Sequence, residues 1–209
     1  MKFDLLYEQI VKDYPKENPT TKAIFVFGRM NPPTAGHELL INHMQSIADK
    51  EKRQPFVFIS RTQNAKSDPL AFSDKIALLN LVVPNSLIVD DPMAITPFHA
   101  GYWLRDHGFK DVKIIAGSDR VPEYEERMRP YIDHEDPKKS FNFTRFKVES
   151  FGDQRDPDSD DASGISASKA RQLADSGNLA GFAQILPAST PQEMAEDLYN
   201  KIRKAHGVT

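Results

Sequence analysis

The sequence predicts an α/β fold, a doubly wound parallel sheet of about five strands with helices on both faces. Short apolar runs of strand length alternate with amphipathic stretches along most of the chain. Runs such as AIFVF are apolar throughout, the pattern of strands covered on both faces, while RFKVESF (145–151) alternates. The unusual polar segments follow the runs, where open α/β sheets bind their ligands.

Taken in order, Phe3, Leu6, Tyr7 and Ile10 recur at helical spacing and predict an N-terminal helix ended by Pro15. AIFVF (23–27) is the first buried strand. A helix follows from Gly36 to about residue 50, with Leu40, Met44 and Ile47 on one face. PFVFIS (55–60) is the second strand, and FSDKIALLNLV (72–82) a helix capped by Ser73. SLIVDD (86–91) is the third strand, and 97–109 a helix closed by Gly108. DVKIIAGSD (111–119) and RFKVESF (145–151) supply strands four and five. Residues 152–164 form a polar, acidic loop, and 166–177 a short helix with a Ser N-cap and Gly177 at its end. Thr190-Pro191-Gln192-Glu193 reads as a capping box with proline at the first helical position. It opens a last helix with Met194, Leu198 and Ile202 on one face, ended by Gly207. The division expected is an N-terminal helix and linker (1–21), one α/β domain (22–188), and a C-terminal helix (189–209) packed on that domain.

Composition narrows the function classes. At 209 residues with 39% hydrophobic content, the chain buries a sizeable core without staples. It has no cysteine, which excludes disulfides, thiol nucleophiles and thiolate zinc sites. That is compatible with a reducing cytoplasm, the location expected (the host's if the chain is phage-encoded). No stretch approaches the roughly 18 apolar residues of a membrane span, so no membrane partner is expected. The net charge of −3 gives no bulk footprint for nucleic acid, and none is expected as a partner. Self-association into a homo-oligomer is left open.

Two segments stand out. Thr34-Ala35-Gly36-His37 follows the first strand and two prolines. A helix starting there points free amides and a partial positive charge at the sheet's end, a place suited to phosphate. Gly36 would let an anion approach the backbone, and Thr34 and His37 would add donors. The plainer alternative is a Pro-rich turn with a capping His. The second segment is GISASKAR (164–171). Ser166 and Ser168 open a helix whose first turn carries Lys169 and Arg171, cations placed against the helix dipole. Together they would suit a polyphosphate tail; a Ser-capped surface helix is the alternative.

As a pair, the segments resemble the two signatures of the HxGH nucleotidyltransferase superfamily: [HT]-x-G-H after the first strand, and I-S-x-[ST]-x-x-R at a late helix. Thr34 to His37 matches the first, and Ile165, Ser166, Ser168 and Arg171 the second. Gly28-Arg29-Met30-Asn31-Pro32-Pro33-Thr34-Ala35-Gly36-His37 is similar to the G-R-F-Q-P-x-H-x-G-H of archaeal nicotinamide-mononucleotide adenylyltransferases. The arrangement also resembles the small stand-alone nucleotidyltransferases of large tailed phages, over roughly residues 22 to 185. Thr34 departs from the archaeal His, as in phosphopantetheine adenylyltransferases. The segment from Gln63 lacks the archaeal His and Thr, which leaves acceptor identity open.

The resemblance implies a Rossmann-like fold and in-line attack of an acceptor phosphate on the α-phosphate of ATP or another nucleoside triphosphate. Pyrophosphate leaves, and Mg²⁺ is held mainly through the triphosphate. It implies that Thr34 and His37 meet the α-phosphate region. Ser166, Ser168 and Arg171 would hold the leaving phosphates, with Lys169 as helper and Ile165 beside them in the nucleotide site. Gly28, Arg29, Met30, Gly36, Gly117, Asp119 and Arg120 would join the nucleotide site, with Asp119 on a ribose hydroxyl. Arg29 and Lys66 are candidates for the phosphate of a small phosphorylated acceptor. Lys66 thereby joins Thr34, His37 and Arg171 as a catalytic candidate, and Asn31, Gln63 and Trp103 complete the acceptor side. Trp103 and Phe98 have a second reading, as core packing. Nicotinamide mononucleotide is the acceptor the resemblance favours. A cytidylyltransferase, another small-molecule adenylyltransferase, and a non-catalytic nucleotide-binding or virion-associated protein are the alternatives. His99, His107, His134 and His206 lack metal-ligand spacing, and no protein metal site is expected. The acidic run from Asp153 to Asp161 reads as a lid or a plain loop.

Overall fold

The computed structural model describes residues 10–11, 20–84, 86–152 and 165–208. Its strands are β1 (Ile10–Val11), β2 (Lys22–Gly28), β3 (Gln54–Ile59), β4 (Leu87–Val89), β5 (Asp111–Gly117) and β6 (Arg145–Phe151). They form one sheet in the order β1-β4-β3-β2-β5-β6, with every neighbouring pair parallel. The helices are α1 (Ala35–Glu51), α2 (Phe72–Val82), α3 (Pro97–Asp106), α4 (Val121–Met128), α5 (Ala167–Asp175), α6 (Leu179–Ile185) and α7 (Gln192–His206).

The apolar runs are explained by two cores. Side chains alternate across a strand, so β2 sends Ile24 and Val26 to one face and Ala23 and Phe25 to the other. The first face is aliphatic and is covered by α1, α2 and α5 to α7, through residues such as Met44, Leu79, Ala170, Phe182 and Leu198. The second is aromatic and is covered by α3 and α4. There Trp103 meets Phe56 and Phe58 edge-on, with centroids 5.3 and 5.6 Å apart.

Winding to both faces places a switch point between β2 and β5. The chain leaves β2 for β3 on one side and comes back, by way of α3, to β5 on the other. The β2–β3 ladder runs to Gly28 and Ile59, and the β5–β6 ladder to Gly117 and Phe151. The β2–β5 ladder stops earlier, at Phe25 and Ile114. The sheet therefore parts only between these two strands, and a crevice opens at their carboxyl ends.

Several expectations need correction. Ile10 and Val11 are not helical; they pair in parallel with Ile88 and Val89 as a short edge strand. The rest of that segment lies outside the described residues. Ala71, not Ser73, caps α2, and its amide donates to the Asp74 carboxylate at 3.2 Å. The capping box at Thr190 does not form. Helix α7 begins at Gln192 after Pro191, and the Thr190 hydroxyl is buried without a partner among the described residues. Helices α4 and α6 were not anticipated; both are short.

Candidate functional site

A cavity of about 390 Å³ fills the crevice between β2 and β5. The loop after β2, the start of α1, the start of α5, and the turn leading into α4 border it. The two singled-out segments are thus neighbours. A Cβ added to Gly36 would sit 3.1 Å from the Ile165 carbonyl oxygen, tighter than an ordinary contact, so glycine favours this close approach of the start of α1 to the second segment.

Thr34 is the N-cap of α1 in extended backbone conformation. The His37 ring turns back on it: Nδ1 accepts the Thr34 amide N–H at 3.1 Å and lies 2.8 Å from the Thr34 hydroxyl. An amide can only donate, so Nδ1 is the acceptor and the ring proton belongs on Nε2. Thr34 is fully buried. It still borders the cavity, where its hydroxyl is engaged with His37.

In the second segment the Ser166 hydroxyl caps α5 by accepting the Lys169 amide at 3.1 Å. Arg171 reaches across the chain. Its Nη1 donates to the Asn31 carbonyl at 2.7 Å and its Nη2 to the Ser168 hydroxyl at 3.1 Å. The guanidinium is therefore fixed beside the loop after β2, on the cavity wall. Lys169 is exposed and does not border the cavity. The acidic stretch 153–164 lies outside the described residues, as does its expected role as lid or loop.

The loop after β2 is held from below. Met30 adopts a left-handed backbone (φ 48°) and buries its side chain in the aliphatic core, while still bordering the cavity. Asn31 borders the cavity with its side-chain amide already engaged: it donates to the Leu70 carbonyl (3.1 Å) and accepts the Leu70 N–H (3.0 Å). Arg29 has 57% of its side chain exposed and lies 3.8 Å from the Asp68 carboxylate. Of the segment from 63 to 68, Ser67 reaches the cavity; Gln63 and Lys66 do not. Both are exposed, and Gln63 stands 3.5 Å from the Pro69 carbonyl. They sit on the outside of a turn that Asn64 organises with its own side chain.

On the opposite wall Gly117, Asp119 and Arg120 border the cavity. A Cβ at Gly117 would stand 2.7 Å from Asp119 Oδ1, so a larger residue there would turn that carboxylate aside. Arg120 is paired with Glu123 at 2.9 Å and Asp119 at 3.6 Å. Trp103 does not come to the site. It is 8% exposed, in the aromatic core, stacked on His107 at 3.8 Å. The apolar lining comes instead from Phe27, Leu40, Pro97, Tyr124 and Phe151, none of them anticipated. Burial pushes the Tyr124 hydroxyl up to about 12, so it stays a neutral donor. One signal for it was present: Val121, Tyr124 and Met128 recur at helical spacing beyond Gly117.

The site is thus two-sided. Arg29, His37, Ser168, Arg171 and the amides of α1 offer donors and positive charge; the aromatic wall offers flat apolar surface. Among the described residues no three metal-ligating side chains gather. No protein-family model matches the chain, and no curated protein matches it. Among the described residues no helix is long and apolar enough to cross a membrane.

Proposed function

We propose that the cavity binds a nucleoside triphosphate and transfers its nucleoside monophosphate to a phosphomonoester, releasing pyrophosphate. The observation that carries this reading is the meeting of two phosphate-suited helix starts at one crevice, with Gly36 against Ile165 and Arg171 bonded to Asn31. In the reaction an acceptor phosphate oxygen forms a bond to the α-phosphorus, and the bond to the oxygen bridging to the β-phosphorus breaks. The acceptor phosphate is already ionised at neutral pH, so no side chain need take a proton. His37 Nε2–H and the amides at the start of α1 would neutralise charge growing on the α-phosphate. Arg171 and Ser168 would hold the departing pyrophosphate. Phe27, Tyr124 or Phe151 would take the flat face of a base or of the acceptor ring. The carboxylates on the cavity wall, Asp119 and Glu123, already face Arg120. Magnesium fits this donor set as an ion carried in on the triphosphate oxygens, where it supplies charge neutralisation.

The pair favoured is ATP with nicotinamide mononucleotide, giving NAD, in the cytoplasm. A cytidylyltransferase or another adenylyltransferase uses the same geometry with a different base or acceptor. The test is pyrophosphate release with Mg²⁺, scanning ATP and CTP against nicotinamide mononucleotide and other phosphomonoesters. Release with ATP and nicotinamide mononucleotide, with NAD as product, supports the full reading. Release with another pair keeps the reaction and replaces the substrates. Nucleotide binding without release from any pair overturns catalysis in favour of a non-catalytic nucleotide-binding protein.

A further inference from the structure

Beneath the loop after β2 lies an arrangement that no motif singles out. Lys75, in the first turns of α2, is fully buried. Its ammonium donates to the Ser60 carbonyl and, at 3.1 Å, to the Arg29 carbonyl. These residues directly follow β3 and β2, so one side chain ties the ends of two strands. The charge facing it belongs to Asp68, only 2% exposed. Asp68 Oδ2 accepts from Asn64 and Ser67, each at 3.1 Å, and lies 3.8 Å from Arg29. Its Oδ1 is buried with no hydrogen-bond partner among the described residues. Asp68 also acts through space on Arg171. One buried carboxylate therefore stands among three cations, two of which border the cavity.

We infer that Lys75 is a positioning residue of the anion site: its charge balances Asp68 from below and so leaves Arg29 and Arg171 available to phosphate in the cavity. A buried carboxylate that loses its counter-charge draws the nearest remaining cations toward itself. Arg29, loosely held at 3.8 Å, is the first to be drawn, away from any ligand. The inference rests on reading the cavity as a polyphosphate site. Burial lowers the Lys75 ammonium to about 8, with Asp68 opposing the shift and Arg61 adding to it. The neighbouring Asp74 is engaged by Lys201 from α7 at 2.7 Å. Above pH 8 the neutral amine still donates hydrogen bonds but no longer balances Asp68.

Stability and affinity then move in opposite directions. A lysine whose folded pKa lies below its unfolded value of 10.5 opposes folding while charged, so its contribution to stability rises from about pH 8 upward. Anion affinity falls over the same range. A purely structural lysine would change stability over this range and leave affinity flat.

The test is calorimetric titration of the full-length chain with MgATP, with thermal unfolding alongside, from pH 7 to 9. The terminal phosphate is ionised across that range, since its second pKa is near 6. The wild type is expected to lose affinity as pH passes 8. Lys75→Met is expected to bind about tenfold more weakly at pH 7, the loss of one charge-assisted contact, with no further loss at pH 9. Lys75→Met/Asp68→Asn, which removes both charges, is expected to recover to within about threefold of the wild type. A folded Lys75→Met that binds like the wild type overturns the inference, as does a double variant no better than the single one. If Lys75→Met fails to fold, a wild-type affinity that stays flat from pH 7 to 9 overturns it. No MgATP binding by the wild type overturns the polyphosphate reading as well; binding with a flat series overturns the role of Lys75 alone.

Discussion

Replacing His37 with alanine removes the Nε2–H donor but keeps the N-terminus of α1, whose cap is the preceding Thr34. Pyrophosphate release is expected to fall by about 10²–10³-fold, the usual effect of deleting one donor to a developing oxyanion. Folding stability is expected to change by no more than about 1 kcal/mol. Parallel assays of turnover and thermal unfolding check this; residual activity explained entirely by the unfolded fraction would sink the role. His37, Ser166 and Arg171 were legible in the sequence because a helix start constrains which residues face its end. The surroundings of Asn31, Lys66 and Trp103 were not, each for its own reason. Asn31 borders the cavity, but its amide is taken by the Leu70 backbone, 39 positions away. Lys66 is one residue from Ser67, and a turn decides which of the two points inward. Trp103 follows the helical periodicity that placed it, and that face of α3 is the core.

Helix α7 shows how an element far from the cavity sets its walls. Its apolar face, Ala195, Leu198, Tyr199 and Ile202, closes the aliphatic core over α5 and α6. Its polar edges clamp both sides. Lys201 pairs with Asp74 on α2, while Arg203 donates to the Ala174 carbonyl (2.7 Å) and His206 meets Asp175 (2.6 Å) on α5. The helix that carries Lys75 and the helix that carries Arg171 are thus held by the same strut. Leu198→Ala is expected to cost about 2–5 kcal/mol, read from the midpoint of urea unfolding. An effect below about 1 kcal/mol would show that the site relaxes around the lost volume and that α7 is not a strut. Apolar periodicity, N-cap residues and terminal glycines together made α1, α2, α3, α5 and α7 readable. Helices α4 and α6 span eight and seven residues, too few turns for a period to stand out. Helix α4 carries Glu123 and Tyr124, so missing it also hid that part of the cavity wall.

Across the whole molecule the two ends of the sheet are chemically different. The carboxyl end opens into the cavity; at the other end charges close the sheet. There Lys113 meets Glu51 (2.6 Å) and Glu149 (3.0 Å), and Arg53 meets Glu51 (2.6 Å) and Asp111 (2.8 Å). Hydrogen bonds from Lys113 and then Arg53 hold the Glu51 carboxyl at about 2, below its ordinary 4.5. A carboxylate with a depressed folded pKa contributes stability above its unfolded pKa and loses it as pH falls through the folded one. Acid unfolding is therefore expected to steepen between about pH 4.5 and 2, and Glu51→Gln to flatten that stretch, as followed by circular dichroism. An unchanged slope would remove Glu51 from the account. That the sheet is parallel and covered on both faces was legible from the doubly apolar runs and the helical stretches between them. The parting of β2 from β5 was not, because no local pattern records where a ladder stops. The contact between Arg171 and Asn31 joins residues 140 positions apart. Strands β2 to β6 all precede residue 165, so a growing chain can assemble the sheet before the α5 side of the cavity has been synthesised. Completion of the cavity is then a late event in synthesis, and undocking of α5 undoes it. Under the proposed function, a nucleotide captured there would favour the molecules with α5 docked and hold them so by mass action.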